Sequence, residues 1–139
     1  MAMYLRVAVS GVLLAYVGAL AYVLLTPQGS VPSGLVTDFA NLGDRFGLPA
    51  KVLERHRVEF GLNVLAFVPL SFLGSLLRPA VSVSTWTATA FATSLLVEAY
   101  QTTQPERMAA HSDVVANTAG AAMGAVVAWL LIRPFAARD

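Results

Sequence analysis

Four long stretches of this chain contain no Asp, Glu, Lys or Arg, and each is long enough to cross a lipid bilayer as a helix. They cover residues 7–25, 60–77, 79–97 and 114–132, and each is 18 or 19 residues long. At about 1.5 Å per residue such a helix measures roughly 28 Å, close to the thickness of a bilayer's hydrocarbon core. A soluble chain of 139 residues could bury one or two such stretches, not four. The sequence therefore predicts an all-α integral membrane protein built as a four-helix bundle.

The composition agrees with a membrane protein and excludes several other classes. Hydrophobic residues make up 57% of the chain and charged residues 12%, which lies outside the range of ordinary soluble domains. The net charge of +1 gives no electrostatic basis for binding nucleic acid. The chain has no cysteine, which excludes disulfides and thiolate metal ligands.

The first apolar stretch is predicted to be a retained span and not a cleaved signal peptide. It continues well beyond the about 7–15 residues of a signal peptide's apolar region. Gly11, Ala15 and Gly18 place small side chains along it, and such side chains let helices approach closely in lipid. This span is therefore expected to contribute packing surface only.

An amphipathic helix is predicted between the first and second spans. Its apolar face consists of Leu35, Phe39, Leu42 and Phe46, which recur at helical spacing. Ser33 is suited to be its N-cap, and Gly47 is suited to end it. Because the segment is not basic, its electrostatic attraction to anionic lipid is weak. We expect an interfacial helix that covers the bundle.

The predicted architecture is a single membrane domain over residues 1–139. Its spans cover about residues 5–25, 59–77, 80–101 and 113–132. Because successive spans alternate in direction, both termini lie on one face of the membrane. Lys and Arg number four on that face and five on the other, so their count does not select an orientation. Arg6, Arg78 and Arg133 directly flank span ends, where charges count most, and this favours cytoplasmic termini.

Polar residues enter the predicted spans at one membrane face. An acid and an amide occur together at the start of the second span, the end of the third and the start of the fourth. These pairs are Glu59 and Asn63, Glu98 and Gln101, and Asp113 and Asn117. Polar groups at a membrane edge that face a bundle interior are candidates for function. The candidate ligand-binding residues are Asn63, Glu98, Gln101, Arg107, Asp113 and Asn117, with Arg107 in the connection before the fourth span.

Structural explanations for the same residues stay open at this point. Asp113 fits the N-cap or first turn of a helix, where the helix dipole favours an anion. Glu98 and Arg107 could form an ion pair that closes the hairpin, and the asparagines could hydrogen-bond between helices. No tight ligand-spacing motif connects Glu98, His111 and Asp113. The sequence therefore predicts no metal site and no cofactor.

Three residues are assigned structural roles. Pro69 cannot donate a hydrogen bond to the carbonyl of Leu65 and is expected to kink the second span. Gly120 and Gly124 belong to a row of small residues on one face of the fourth span. Such a row allows another helix to approach closely.

The polar positions also match the sequence patterns of a membrane protein family. The chain contains Asn63-x3-Phe67-x-Pro69, then Glu98-x2-Gln101, then Arg107, then Asp113-x3-Asn117-x2-Gly120-x3-Gly124. In order and placement these motifs resemble those of the VanZ-like family, over about residues 58–132. Ser71 stands where the family commonly has Gly. Ser112 stands where members often carry a second acid beside Asp113, which weakens any mechanism based on two carboxylates.

The resemblance implies a multi-pass protein of the bacterial inner membrane, and the founding member is associated with low-level resistance to the glycopeptide teicoplanin. The first hypothesis is that the chain binds a polar head group of a lipid-linked cell-wall precursor or of a glycopeptide, with membrane lipid as a further partner. Two alternatives stay open: a structural accessory subunit, and a small proton-coupled exporter that uses Glu98. No nucleophile, cofactor or metal motif is identified, which favours a role other than catalysis.

Overall fold

The computed structural model describes residues 3–26, 30–104 and 111–136, and for residues 30–32 and 133–136 it describes only the backbone. Five helices follow one another in this part of the chain. They are α1 (Met3–Leu25), α2 (Ser30–Arg45), α3 (Arg55–Leu77), α4 (Val83–Gln101) and α5 (His111–Ala136). The described residues form no strand, and the predicted all-α class is confirmed.

Three of the helices, α1, α3 and α5, are long and apolar enough to cross a membrane. α4 has 19 residues, but Ser and Thr side chains lower its hydropathy. One of these hydroxyls bonds back to its own helix, since Thr87 Oγ1 donates to the carbonyl of Val83 at 2.9 Å. Hydroxyl side chains commonly satisfy themselves in this way within apolar surroundings.

All four helices that correspond to predicted spans begin at other residues than predicted, and the starts of α4 and α5 bear on the polar residues. α4 begins at Val83 and not at residue 80, because the Ser82 side chain accepts a hydrogen bond from the Thr85 backbone N–H at 3.1 Å. Such a bond is the usual contact of an N-cap. α5 begins at His111, which places Asp113 in its first turn.

The start of α2 differs from the prediction. The helix begins at Ser30, so the expectation that Ser33 is its N-cap is wrong. Ser33 already lies within the helix, where its carbonyl accepts a hydrogen bond from Thr37 Oγ1 at 3.0 Å. Pro32 occupies the first turn, where a helix tolerates proline because the early N–H groups have no partner within the helix.

The end of α2 is fixed by the predicted glycine. Gly47 has a φ of 72°, a left-handed conformation that favours glycine. The backbone N–H of Gly47 donates to Asp44 at 2.9 Å, and that of Leu48 donates to Gly43 at 3.1 Å. These two bonds form a Schellman motif, which satisfies the last carbonyls of the helix.

The most extensive packing in the fold is between α3 and α5. Two glycines of α5 make this packing possible. A Cβ atom at Gly120 would overlap the carbonyl oxygen of Val64, and one at Gly124 would overlap that of Val68. The backbones of α3 and α5 are therefore in direct contact, as the row of small residues predicts.

α1 and α4 pack against this central pair in very different ways. α4 packs broadly on α5, whereas α1 makes few contacts with α3 and α4 and has no buried residue. Large apolar side chains of α1, such as Leu14 and Val7, are exposed. A helix that is apolar around its whole circumference suits contact with lipid.

Candidate functional site

One end of the helix assembly encloses a cavity of about 320 Å³, which we call the polar cavity. All five helices contribute to its lining. The carboxylate, amide and aliphatic hydroxyl side chains around it belong to Glu59, Asn63, Ser94, Glu98, Gln101, Asp113 and Asn117. Five of the six candidate ligand-binding residues thus surround one space. The sixth, Arg107, lies outside the described residues.

α4 turns a polar face toward the polar cavity. Its buried residues are Ala90, Ser94, Glu98 and Gln101, which recur every three or four positions and so share one face. Glu98 is only 8% exposed, while apolar residues such as Leu96 lie on the outside. Polar side chains inside and apolar side chains outside are the arrangement expected of a helix whose outer face contacts lipid.

α5 brings Asp113 and Asn117 to the same cavity from positions one helical turn apart. The carboxylate of Asp113 lies in the first turn, where the positive end of the helix dipole stabilises an anion. This agrees with the structural explanation for Asp113, although the residue also lines the cavity. Asn117 lies deeper and is 4% exposed.

Two atoms of the lining are buried without a hydrogen-bond partner in the described part of the chain. They are Ser94 Oγ and Asn117 Oδ1. The carboxylate of Glu98 also makes no ion pair or side-chain hydrogen bond to any residue that the structure describes. A buried polar group without a partner costs about 1–3 kcal/mol of folding free energy. Ser94 Oγ and Asn117 Oδ1 are two such atoms around one cavity, and packing does not explain them.

Gln101 has a structural contact in addition to its place in the lining. Its side-chain amide Nε2 donates to the carbonyl oxygen of Leu24 at 3.0 Å. Leu24 lies in the last turn of α1, where carbonyl groups have no partner within the helix. Gln101 therefore ties the end of α1 to α4.

α1 also contacts α3 through Tyr16. The Tyr16 hydroxyl donates to the carbonyl oxygen of Ala66 at 2.7 Å. Ala66 precedes Pro69 by three residues, and α3 runs continuously through that proline. The carbonyl that Pro69 leaves without a helix donor is that of Leu65, so Tyr16 donates to the carbonyl of the next residue. The expectation that the first span contributes packing surface only is thus wrong, because α1 both lines the cavity and hydrogen-bonds to two helices.

α2 lies over one side of the polar cavity, but with a different face from the predicted one. Leu35, Val36 and Phe39 line the cavity. Val36 is buried, whereas Leu42 and Phe46 of the predicted apolar face are exposed. The helix is therefore rotated about its axis relative to the prediction, and part of its apolar face remains open to the surroundings.

The described lining has a strongly acidic character. Glu59, Glu98 and Asp113 contribute three carboxylates, and no Lys or Arg among the described residues lines the cavity. These three acids do not form a group that could hold a metal ion. The arrangement can accept hydrogen bonds and attract positive charge.

Sequence reasoning missed Ser94 and left Glu59 out of the candidate set. A usable signal existed for Ser94, because it lies four residues before Glu98 and so shares its face on a helix. It was hidden among the many Ser and Thr residues of α4. The apolar lining residues of α1, such as Leu20, carry no comparable signal because every face of α1 is apolar.

Comparisons with known proteins identify the family. No curated protein and no solved structure matches the chain. The family model described as VanZ/LLP1 matches residues 13–132, so the match extends beyond residues 58–132 and includes α2 and most of α1. Three apolar helices of membrane-spanning length lie within or across this range, as in a membrane protein. Because the match covers most of the chain, the protein belongs to the VanZ/LLP1 family.

Proposed function

We propose that the protein binds the polar head group of an amphiphilic cell-envelope molecule in the polar cavity. The observation that carries the proposal is the pair of buried, unpaired atoms, Ser94 Oγ and Asn117 Oδ1, beside the buried carboxylate of Glu98. For stability alone, apolar side chains of similar size would serve better at these positions. A head group that hydrogen-bonds to these atoms removes their cost when it binds. Ligand sites are typically mostly apolar with a few such convergent polar groups.

In this proposal the protein is a single domain of residues 1–139 that crosses the bacterial inner membrane four times. As a fourth span α4 would measure about 28 Å at 1.5 Å per residue. Its exposed residues Phe91, Leu95 and Leu96 suit contact with lipid. Four spans leave both termini on one side, and Arg6 and Arg78 then favour the cytoplasm for that side. The polar cavity would consequently lie at the outer leaflet.

An amphiphile fits the division of the lining into two kinds of surface. The polar residues of α3, α4 and α5 lie beside apolar residues of α1 and α2, including Leu20, Leu24 and Leu35. A lipid-linked cell-wall precursor and a glycopeptide such as teicoplanin both combine a polar head with an apolar chain, as does membrane lipid itself. The association of the family's founding member with teicoplanin resistance makes teicoplanin the first ligand to test.

The test is the teicoplanin susceptibility of bacteria that express the protein. We expect Glu98→Ala, Asp113→Ala and Asn117→Ala to lose any protection that the wild type gives, while their abundance in the membrane stays normal. Asn41→Ala removes an exposed amide on α2 and is the matched control for Asn117→Ala. Arg107→Ala belongs in the same series because Arg107 is a candidate outside the described residues. A wild type that leaves susceptibility unchanged contradicts glycopeptide binding.

A structural role is the second candidate, and the contact of Gln101 with Leu24 favours it, since one member of the polar set joins two helices. An accessory subunit of this kind would need no ligand. It would predict that each polar variant loses function only in proportion to its loss of abundance. Loss of function at normal abundance in Asn117→Ala rejects this role.

A further inference from the structure

The charge of the polar cavity points to one class of head group. Among the described residues its lining holds three carboxylates and no Lys or Arg, and the candidate Arg107 lies outside those residues, in the connection between α4 and α5. Arg57 is engaged elsewhere, with its Nε at 3.0 Å from Glu54 Oε2, and neither residue lines the cavity. We infer that the polar cavity binds an amphiphile whose head group carries an ammonium group, and that Glu98 is its principal partner. This inference rests on the proposed head-group binding and adds the charge of the ligand.

The unpaired atoms match the hydrogen-bonding groups of an ammonium ion. An ammonium group has three N–H donors and no acceptor. Glu98 can accept through its carboxylate, Asn117 through Oδ1 and Ser94 through Oγ, and all three side chains line the cavity. Asn117 is 4% exposed and Ser94 is 3% exposed, so water does not compete for these acceptors from the surface. Both of these atoms expose less than 1 Å², so Glu98 is the acceptor that a head group meets first, and a shift of neighbouring side chains would bring the remaining donors to Ser94 and Asn117.

An anionic head group is disfavoured by the same lining. A phosphate or carboxylate would approach the carboxylates of Glu59 and Glu98, and like charges placed together oppose binding. A phosphate dianion also brings only acceptors to a site whose unpaired amide oxygen, Asn117 Oδ1, is an acceptor as well. A neutral, hydroxyl-rich head group can donate hydrogen bonds, but it lacks the charge that strengthens a bond to a carboxylate.

The apolar part of such a ligand has a route out of the polar cavity. Leu35, Phe39 and Leu65 line the cavity and are also exposed on the apolar surface of the molecule. The cavity therefore opens onto that surface between α2 and α3. An alkyl chain that follows this opening passes from the head-group site directly into surroundings suited to lipid.

The test uses three detergents with the same alkyl chain and different head groups, namely dodecylamine, dodecyl maltoside and dodecyl phosphate. Their binding to the full chain in phosphatidylcholine nanodiscs is measured by native mass spectrometry. We expect dodecylamine to bind at least about tenfold more tightly than dodecyl phosphate. Glu98→Gln should weaken the binding of dodecylamine by about tenfold, as loss of one charge-assisted bond predicts. It should change the affinity for dodecyl maltoside by less than about twofold.

Glu54→Gln is the matched control, since it makes the same substitution at an exposed acid that lies outside the cavity. It should leave all three affinities unchanged. Ser94→Ala is a second variant that removes an unpaired hydroxyl and is expected to fold at least as well as the wild type. Ser94→Ala should weaken the binding of dodecylamine by about threefold. This variant tests the ammonium inference if Glu98→Gln does not accumulate.

Two kinds of failure are distinguishable. Tighter binding of dodecyl phosphate than of dodecylamine, or unchanged dodecylamine binding in folded Glu98→Gln, overturns the ammonium inference and leaves head-group binding intact. Absence of saturable binding by all three detergents, in the wild type and in Ser94→Ala alike, contradicts the proposed function itself.

Discussion

The two halves of the α3–α5 contact are built in opposite ways. In the close-packed half, Gly120 and Gly124 bring α5 against the backbone of α3, and an added Cβ would overlap a carbonyl oxygen at either position. One turn before Gly120, Asn117 borders a cavity of about 320 Å³. The same helix thus changes within a few residues from direct backbone contact to open space lined by polar groups.

The hydrogen bonding of two buried serines shows what this difference means. Ser71 in the close-packed half donates to the carbonyls of Phe67 and Val68, both at 3.3 Å. Ser94 lies on α4, across the polar cavity from the other half of the contact; it is also buried, and it has no partner among the described residues. An unpaired group also occurs outside the polar cavity, Trp86 Nε1 of α4, whose ring lies against Gly74 of α3, but it is a single donor and lines neither this cavity nor the smaller one near Pro79. Packing therefore accounts for one half of the contact and not for the other.

The largest effect is expected from Gly124→Ala in the close-packed half. The added methyl would meet the carbonyl of Val68 and the hydroxyl of Ser71, so α3 and α5 must separate. Overpacking of this kind costs about 1–3 kcal/mol. The measurement is the free energy of unfolding in mixed micelles.

Gly61→Ala is the control, because a Cβ at Gly61 has no neighbour within 4 Å. Alanine is favoured over glycine in a helix by about 1 kcal/mol, so Gly61→Ala should keep or raise stability. Equal effects of the two substitutions would contradict the direct contact of α5 with the α3 backbone.

The second prediction is that alanine substitutions at the two serines change the free energy of unfolding in opposite directions. Ser94→Ala removes a buried hydroxyl without a partner and should raise the free energy of unfolding by about 1 kcal/mol. Ser71→Ala removes a hydroxyl that donates to two carbonyls and should lower it by about 0.5–1.5 kcal/mol. Both are measured by unfolding of the protein without added ligand. A loss of stability in Ser94→Ala would show that its hydroxyl is satisfied within the folded chain.

The third prediction concerns the polar half, where Gln101 holds α1. Gln101→Leu removes the donor to Leu24 and leaves a carbonyl of the last turn without its partner, at a cost of about 1 kcal/mol. The end of α1 should then fray, which hydrogen exchange followed by mass spectrometry detects as faster exchange over residues 20–26.

Gln104→Leu provides the comparison for this change. The Gln104 side chain donates only to the exposed hydroxyl of Thr103 at 3.3 Å. Exchange over residues 20–26 should match that of the wild type in Gln104→Leu. Faster exchange in both variants would mean that the Gln101 bond does not hold the end of α1.

The close-packed half of the contact could be predicted from sequence because its signal is local. A four-residue spacing of small residues at Gly120 and Gly124 defines a helix face whatever lies opposite it. Likewise, Gly47 ends α2 as predicted, since a left-handed position is encoded by the glycine itself. The start of α2 at Ser30 was not predicted, because Ser33 is a residue type that suits an N-cap and no local signal excludes it from that role.

The polar cavity was predictable only in part, because only some of its residues carry a local signal. The acid and amide pairs at three helix ends marked the level of the site, and Asn63, Glu98 and Asn117 do line one cavity. The roles of α1 depend on what faces it across the assembly. A helix that is apolar on every side gives no indication that Tyr16 donates a hydrogen bond or that Leu24 accepts one. Contacts of this kind depend on tertiary structure and have no sequence period.

The smallest effect is expected from Tyr16→Phe, which removes the 2.7 Å hydrogen bond to Ala66. The Ala66 carbonyl lies within the continuous helix α3 and can still accept a bond from that helix, so the loss should be about 0.6 kcal/mol, the average for such bonds between membrane helices. Tyr4→Phe removes an exposed hydroxyl from the same helix and should leave the free energy of unfolding unchanged. Because Tyr16 also lines the polar cavity, Tyr16→Phe should weaken dodecylamine binding far less than Glu98→Gln does. A comparable loss would place the ligand against α1 and away from the buried polar face of α4.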